Sequence, residues 1–474
     1  MIIGDFYYEF PTQLPQLTTN SIYFVIFAFV VFSLARPFKS YLRPIILLIA
    51  NLIFLYSFSS YHLIAVLLIA LSSYIFGLLI NKYKNKTTLL LSIVPFILVL
   101  SFFKYNNLFL STSILMPLGL SFYTFKIISY LIDIYKGKLE SEKNILYYLD
   151  YVMFFPTISA GPIHRAKYFL DELRNGTTFE YKDAKNGGIQ MLIGIFEKMV
   201  LCDYVGMVVN AILNNQELVG LNVLLGVVLY SFQIYLDFDS YSNIAIGLSR
   251  LLGFHFEKNF NSPYLAVNLK DFWRRWHISL STWLRDYIYI PLGGSRKGKF
   301  RRYINLVIVF LISGVWHGST VNFVLWGLLH AIIQILEDLI IEPFKKIKLN
   351  KFAKYALTIL GIITNFIIVT FLWLIFKYQT MGEVSEVLNR MFVSAPLSFE
   401  AIGLVKNEVI WLGVVLLVTI VMDILRNKFD MIEVLSKQFI LVRWFVYIVL
   451  IVVFMVFAVY GGSFDSSDFI YQFF

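Results

Sequence analysis

Only one cysteine, Cys202, occurs in the 474 residues, which excludes an internal disulfide and any cysteine-cluster metal site. It sits beside an apolar run with no histidine close in sequence, so it reads as a small packed residue rather than a nucleophile. Charge is scarce as well. Asp, Glu, Lys and Arg make up 15% of the chain, where soluble domains carry about a quarter. Residues 1–19 contain no Lys or Arg but do contain Pro11 and Pro15, so the first apolar run, Ile22 to Ala35, lacks the basic lead of a cleaved signal and reads as retained. No G-x-S-x-G elbow, H-E-x-x-H helix or Walker loop is present. That argues against a serine hydrolase of the elbow type, a zinc protease and a nucleotide-driven pump. There is no internal repeat of the kind that builds many transporters, no low-complexity tract and no linker long enough to separate soluble domains.

What the chain has instead is apolar length. Hydrophobic residues are 58% of the total and mean hydropathy is +0.72, too much for a single anchor. A hydrocarbon slab of about 30 Å needs about 20 helical residues. Candidate runs lie at 20–35, 44–58, 62–81, 88–103, 114–134, 146–160, 187–212, 220–250, 303–316, 319–341, 355–376, 406–424 and 441–460. Several are too short to cross alone, which predicts an all-α polytopic membrane protein with about eleven transmembrane helices plus re-entrant and interfacial pieces.

The net charge of +10 sits in short loops, where it sets orientation and does not imply nucleic acid. Arg36, Lys39 and Arg43 follow the first run, and Lys82, Lys84 and Lys86 follow the third, which places both loops in the cytoplasm and the N-terminus outside. Basic stretches at Arg296, Lys297, Lys299, Arg301 and Arg302 and at Lys345, Lys346, Lys348, Lys351 and Lys354 make residues 303–341 a hairpin that returns to its starting side. From Tyr303 to Trp316 a helix climbs about 21 Å, which leaves His317 at membrane depth. An ionisable residue there faces protein or a polar cavity and is functional by default. Residues 256–300 break the membrane pattern. Trp276, Leu280, Trp283 and Tyr287 form an amphipathic helical stripe, Asp271 is spaced to pair with Arg274 and Arg275, and Pro291 with Gly293-Gly294 should end the helix.

Six histidines carry the remaining chemistry. His62 reads as interfacial, His255 as an ordinary loop residue and His330 as a packed or snorkelling group. His164 follows the Gly161-Pro162 break and is a candidate cavity residue. His277, in WRRWHISLS, and His317, in SGVWHGS, stand apart by context. Acyl transfer to a hydroxyl needs a base, and a buried imidazole remains neutral and suited to that task. Two histidines hydrogen-bonded between helices is the alternative reading. Asp237 and Asp239 in QIYLDFDSYSN are costly in lipid, so they should face a polar cavity, pair with nearby arginines or sit at a helix end. The glycine pair in PLGGSRKGKF is a weak phosphate signal beside basic residues better explained by topology.

The run from YLDFDSYSN through WRRWHISLSTWLRDYIYIPLGG, followed by SGVWHGSTVNFVLWGLLHA, closely resembles the membrane-bound O-acyltransferase family. So do PLGLSFYTFKIISYLIDIYKG at 117–137, FFPTISAGPIHR at 154–165 and the ending DFIYQFF; the similarity is greatest to the branch that O-acetylates alginate and peptidoglycan. The resemblance implies one membrane domain over 1–474, with N-terminal helices in 1–110, a catalytic core in 111–341 and C-terminal helices in 342–474, arranged around a central funnel with a tunnel. Carried over by position, the essential histidine is His317, expected as general base, and the second is His277, expected as a supporting donor or orienting group. Arg274, Arg275 and Arg285 are expected to hold a phosphate-bearing donor; Asp237, Tyr241, Trp273, Trp276 and Trp316 complete the substrate-binding set. The donor implied is acetyl-CoA, with no resident cofactor or metal. The acceptor is an extracytoplasmic envelope polysaccharide, reached from a bacterial cytoplasmic membrane with the help of an esterase-like transferase partner. Where the branch reads DFSGYSDMAIG this chain has Asp239, Ser240 and Asn243, and His164 replaces an apolar residue, departures that bear on the substrate more than on the reaction type. D-alanyl transfer to teichoic acid from a carrier protein, a lipid-linked sugar flippase and a structural scaffold are the competing readings.

Overall fold

The computed structural model describes residues 14–18, 21–36, 42–108, 114–176, 180–341 and 350–459. Of the features singled out above, Pro11, Lys39, Lys345, Lys346, Lys348 and the terminal DFIYQFF lie outside the described residues. Among those residues every regular element is helical.

Among the described residues, seven helices are long and apolar enough to cross a membrane: Ser60–Tyr83, Lys86–Leu108, Leu221–Leu251, Val321–Ile340, Lys351–Lys377, Lys406–Arg426 and Ile440–Phe457. Ile22–Ala35 and Leu42–Phe58 are apolar but shorter. That is fewer than the eleven expected, and the missing ones show why. The 114–134 run begins its helix only at Leu120, after Pro117 and a left-handed Gly119, and Leu120–Leu131 is buried throughout, Lys126 included. It is an interior helix rather than a lipid-facing one. The 146–160 run stops at Met153 ahead of Pro156. The 187–212 run is split by a π-helical turn, Glu197–Cys202, that carries two buried charges.

The chain forms two compact units. Among the described residues, the first contains those up to Ile195 together with Ser240–Lys258; the second contains Phe196–Asp239 and those from Asn259 to residue 459. In the first, Phe154, Phe169 and Phe254 pack with centroids 4.5–5.0 Å apart. Arg43, read from sequence as a loop charge that sets topology, is buried here: it donates to the Leu252 carbonyl at 2.7 Å and covers the Phe254 ring. His255 is not an ordinary loop residue. Its Nδ1 lies 2.9 Å from Glu172 and its Nε2 3.2 Å from Asp183, and the Glu172 hydrogen bond raises its pKa above 6.5. A raised folded pKa contributes stability that is complete below the unfolded value and lost as pH rises through the folded one. His255→Gln should therefore lower the melting temperature at about pH 5.5 and leave it unchanged at about pH 8.5. An equal loss at both values would sink the ion-pair account.

In the second unit, helices Gly298–His317 and Val321–Ile341 form the hairpin expected from the charge pattern. The first helix starts five residues before Tyr303, and the added turn holds Lys299, Arg301 and Arg302. Glycine lets the two backbones touch. A Cβ on Gly314 would stand 2.3 Å from the Phe323 carbonyl oxygen, and one on Gly327 2.3 Å from that of Phe310. Small residues at such crossings are a general feature of membrane helix pairs. Gly327→Ala must part the helices, at a cost of about 1–3 kcal/mol or more. Thermal unfolding in detergent measures it, and a wild-type melting point would refute the contact.

Candidate active site

The stripe at 276–287 is not one helix. Leu269–Arg275 ends at Trp276, His277 takes a left-handed conformation with φ +42°, and Ile278–Leu284 starts anew before a π-turn, Arg285–Tyr289. The periodicity expected of one face survives in burial as far as Trp283, since Trp276, Leu280 and Trp283 are buried and Tyr287 only partly so, but the break turns the His277 ring inward. A left-handed non-glycine residue costs on the order of 1–3 kcal/mol and persists only where its surroundings impose it. Here the imposition is local: Asn261 N–H donates to the Arg275 carbonyl and Ile278 N–H to the Asn259 carbonyl, each at 2.9 Å. The ring is 1% exposed, and burial lowers its pKa to about 3, so it is neutral at physiological pH.

His317 ends its helix and is 2% exposed. Its ring lies 4.8 Å from Trp316, 5.1 Å from Trp326 and 5.2 Å from Phe376. Trp316 also faces His277 at 6.5 Å, so one indole is neighbour to both imidazoles. Trp326 continues the wall to Trp273 at 5.7 Å and Trp373 at 6.0 Å, and Trp276 joins through Trp373 at 4.8 Å. His330 is packed, as expected of it, and has a defined role: its Nδ1 accepts the Trp273 Nε1–H at 3.2 Å while its ring stacks on Phe310.

A cavity of about 380 Å³ lies by Tyr289–Lys297. A larger one, about 930 Å³, is bordered by Trp273, Arg274, Arg285, Arg302, Phe310 and Ser313. Arg302 is ion-paired with Asp338, and Arg285 with Asp286 at 2.8 Å. Arg275 is not among the cavity's lining residues; it pairs with Asp271, which is, at 3.0 Å and with Asn427 at 2.8 Å, which realises one of the two pairings expected of Asp271. His277 and His317 do not line the cavity either. The lining residues next to them in their helices are Ile278 and Ser313.

The carboxylates behave differently from expectation. Asp237 takes Lys198 at 2.7 Å, and the same ammonium meets Asp203 at 3.0 Å. Asp239 takes Arg426 at 2.7 Å, which also binds Glu197. None pairs with Arg274 or Arg275. Cys202 is buried beside this cluster, 3.7 Å from Asp237 Oδ1, the packed residue that was expected. Tyr241 belongs to the first unit and is hydrogen-bonded to Ser159 at 2.5 Å. His164 also belongs there, stacked on Phe256 with centroids 4.7 Å apart. His62 accepts the Leu118 N–H at 3.2 Å. Sequence reasoning missed Asn259, Trp326, Trp373 and Lys198. For Lys198 the signal was available, a lysine inside an apolar run; for the others nothing local distinguishes them from core residues.

Residues 51–382 match the family model of MBOAT, the membrane-bound O-acyltransferase family. The chain belongs to that family. Among membrane-bound O-acyltransferase relatives it is 36% identical over 284 residues to the probable alginate O-acetylase AlgI of Pseudomonas putida, which covers 60% of this chain and 57% of the relative. It is 33% identical over 305 residues to the peptidoglycan O-acetyltransferase of Helicobacter pylori, 59% of this chain and 57% of that one. To the teichoic acid D-alanyltransferase of Bacillus subtilis it is 34% identical over 273 residues, 55% of this chain and 68% of the relative. The matched part thus spans little more than half the length of the first two.

Proposed function

We propose that this protein transfers an acetyl group from acetyl-CoA to hydroxyls of an envelope polysaccharide, from a bacterial cytoplasmic membrane and with an extracytoplasmic esterase-like partner. His317 is the general base and His277 the supporting group. The observation that carries the proposal is the pair of buried histidines flanking Trp316 within one unit. A neutral imidazole is fit to take the acceptor proton as the ester bond forms and to return it to the leaving thiol. Arg274 and Arg285 at the 930 Å³ cavity suit the phosphates of a coenzyme A thioester. The donor reaches the histidines by the tunnel that the family fold implies, entering from the cytoplasm while the acceptor approaches from outside. Two acetylating relatives favour acetyl as the group moved.

A second reading, D-alanyl transfer from a carrier-protein thioester, is favoured by the 34% identity to a teichoic acid D-alanyltransferase. The two separate cleanly. Purified protein in liposomes should consume acetyl-CoA and not an aminoacyl carrier, and envelope polysaccharides from cells lacking the protein should lose acetyl esters by mass spectrometry. Consumption of the carrier alone would replace the first reading by the second; unchanged esters would refute the acceptor class. A complete reaction by this chain alone would remove the need for the partner.

A further inference from the structure

The contacts of His277 Nδ1 favour one of the two neutral tautomers. Nδ1 lies 3.2 Å from Asn259 Oδ1. The same oxygen receives the backbone N–H of Ser279 at 3.1 Å and the Ser279 hydroxyl at 2.9 Å. A backbone N–H only donates, so the atom it meets is the amide oxygen and not the amide nitrogen. An amide oxygen only accepts, so the contact with His277 needs hydrogen on Nδ1. Neutral imidazole carries one ring hydrogen, which leaves the lone pair on Nε2. The arrangement is built on both sides: the two backbone bonds between 259–261 and 275–278 hold the left-handed turn that brings the ring over Asn259.

We infer that Asn259 is a positioning residue that fixes His277 in the Nδ1–H tautomer, so that His277 acts in the reaction as a hydrogen-bond acceptor through Nε2 and not as a donor. The inference deepens the acyl-transfer reading and rests on it for the word reaction; the tautomer itself does not. Of the two supporting roles expected for this histidine, it selects the orienting one. A hydroxyl or thiol in the site would direct its hydrogen toward Nε2. The ring also meets Phe238 at 4.6 Å, edge to face, and Trp316, and Nδ1 lies 3.5 Å from the Ser279 hydroxyl, which is closer to Asn259 Oδ1. Burial, which keeps the ring neutral, agrees with a fixed tautomer over the working pH range.

The test uses the full chain in proteoliposomes, labelled with nitrogen-15 in the histidine rings. Subtracting the spectrum of His277→Asn isolates the signals of this ring. One protonated and one bare nitrogen are expected, unchanged between about pH 5 and pH 8. Asn259→Asp places a carboxylate on Nδ1 and should raise the ring's pKa, producing a doubly protonated ring and a new acid limb in the pH profile of transfer. Asn259→Ala should give a mixture of tautomers and lower kcat about tenfold, with the donor KM within about twofold. If these variants do not accumulate, Ser279→Ala loosens the same oxygen more gently and should produce a smaller shift of the same sign. A wild-type ring with hydrogen on Nε2, or a spectrum indifferent to position 259, overturns the inference. A tautomer that responds as stated in a protein that transfers no acyl group would overturn the acyl-transfer reading and leave the assignment standing.

Discussion

His317→Ala should abolish measurable acyl transfer, with a fall of about 10²–10⁴-fold in kcat, the range by which a positioned general base accelerates proton removal. The ring is enclosed by Trp316, Trp326 and Phe376, so the variant also leaves a cavity. His317→Gln controls for that by keeping bulk without a base of matching pKa, and it should be as inactive as the alanine form. Donor consumption by purified protein in liposomes provides the measurement, alongside a melting curve to show that the fold is intact. Retention of more than about a tenth of wild-type turnover in a folded variant would remove His317 from the chemistry. The scaffold reading makes the opposite forecast, unchanged polymer acetylation. A flippase reading expects no dependence on an acetyl thioester at all.

Lys198→Met should destabilise the protein by about 3–5 kcal/mol, the usual consequence of removing one partner from a buried ion cluster. The ammonium is 3% exposed, between Asp237 at 2.7 Å and Asp203 at 3.0 Å, both carboxylates 2% exposed. Taking away the cation leaves two carboxylates facing each other without water, which is worse than never having had the cluster. The same logic gives the control. Lys198→Met combined with Asp203→Asn and Asp237→Asn should recover most of the loss, because neutral polar groups need only hydrogen bonds. Thermal unfolding of the single and triple variants decides it. A single variant as stable as wild type would show that the cluster contributes nothing, and a triple variant as unstable as the single would show that charge is not the cause.

Much of the architecture was legible because membranes impose simple rules. The helices at 60–83, 221–251, 351–377 and 406–426 fall within a few residues of the apolar runs, since a lipid-facing span must satisfy its own backbone and exclude charge. The hairpin that turns after His317 followed from two basic clusters on either side of a 39-residue stretch, 303–341. Where apolar runs were buried inside protein the same rules misled. The segment at 120–135 is as apolar as a span, but it meets helices rather than lipid, and hydropathy does not distinguish the two. The broken helix at His277 was illegible for another reason. Nothing in WRRWHISLS disfavours a continuous helix, and the interruption comes from pairing with Asn259 and Asn261, which lie 16–18 residues earlier in the chain.

By itself, then, the sequence determined the helical membrane class, the approximate positions of the spans and the two histidines in their tryptophan-rich settings, because each depends on local composition and period. Only the tertiary structure decided that one indole neighbours both rings, that the acidic residues answer to Lys198 and Arg426, and that Arg275 binds Asp271 and Asn427 while Arg274 and Arg285 line the cavity. Those outcomes turn on which side chains meet across helices far apart in sequence, and a hydropathy pattern carries no information about distance in space.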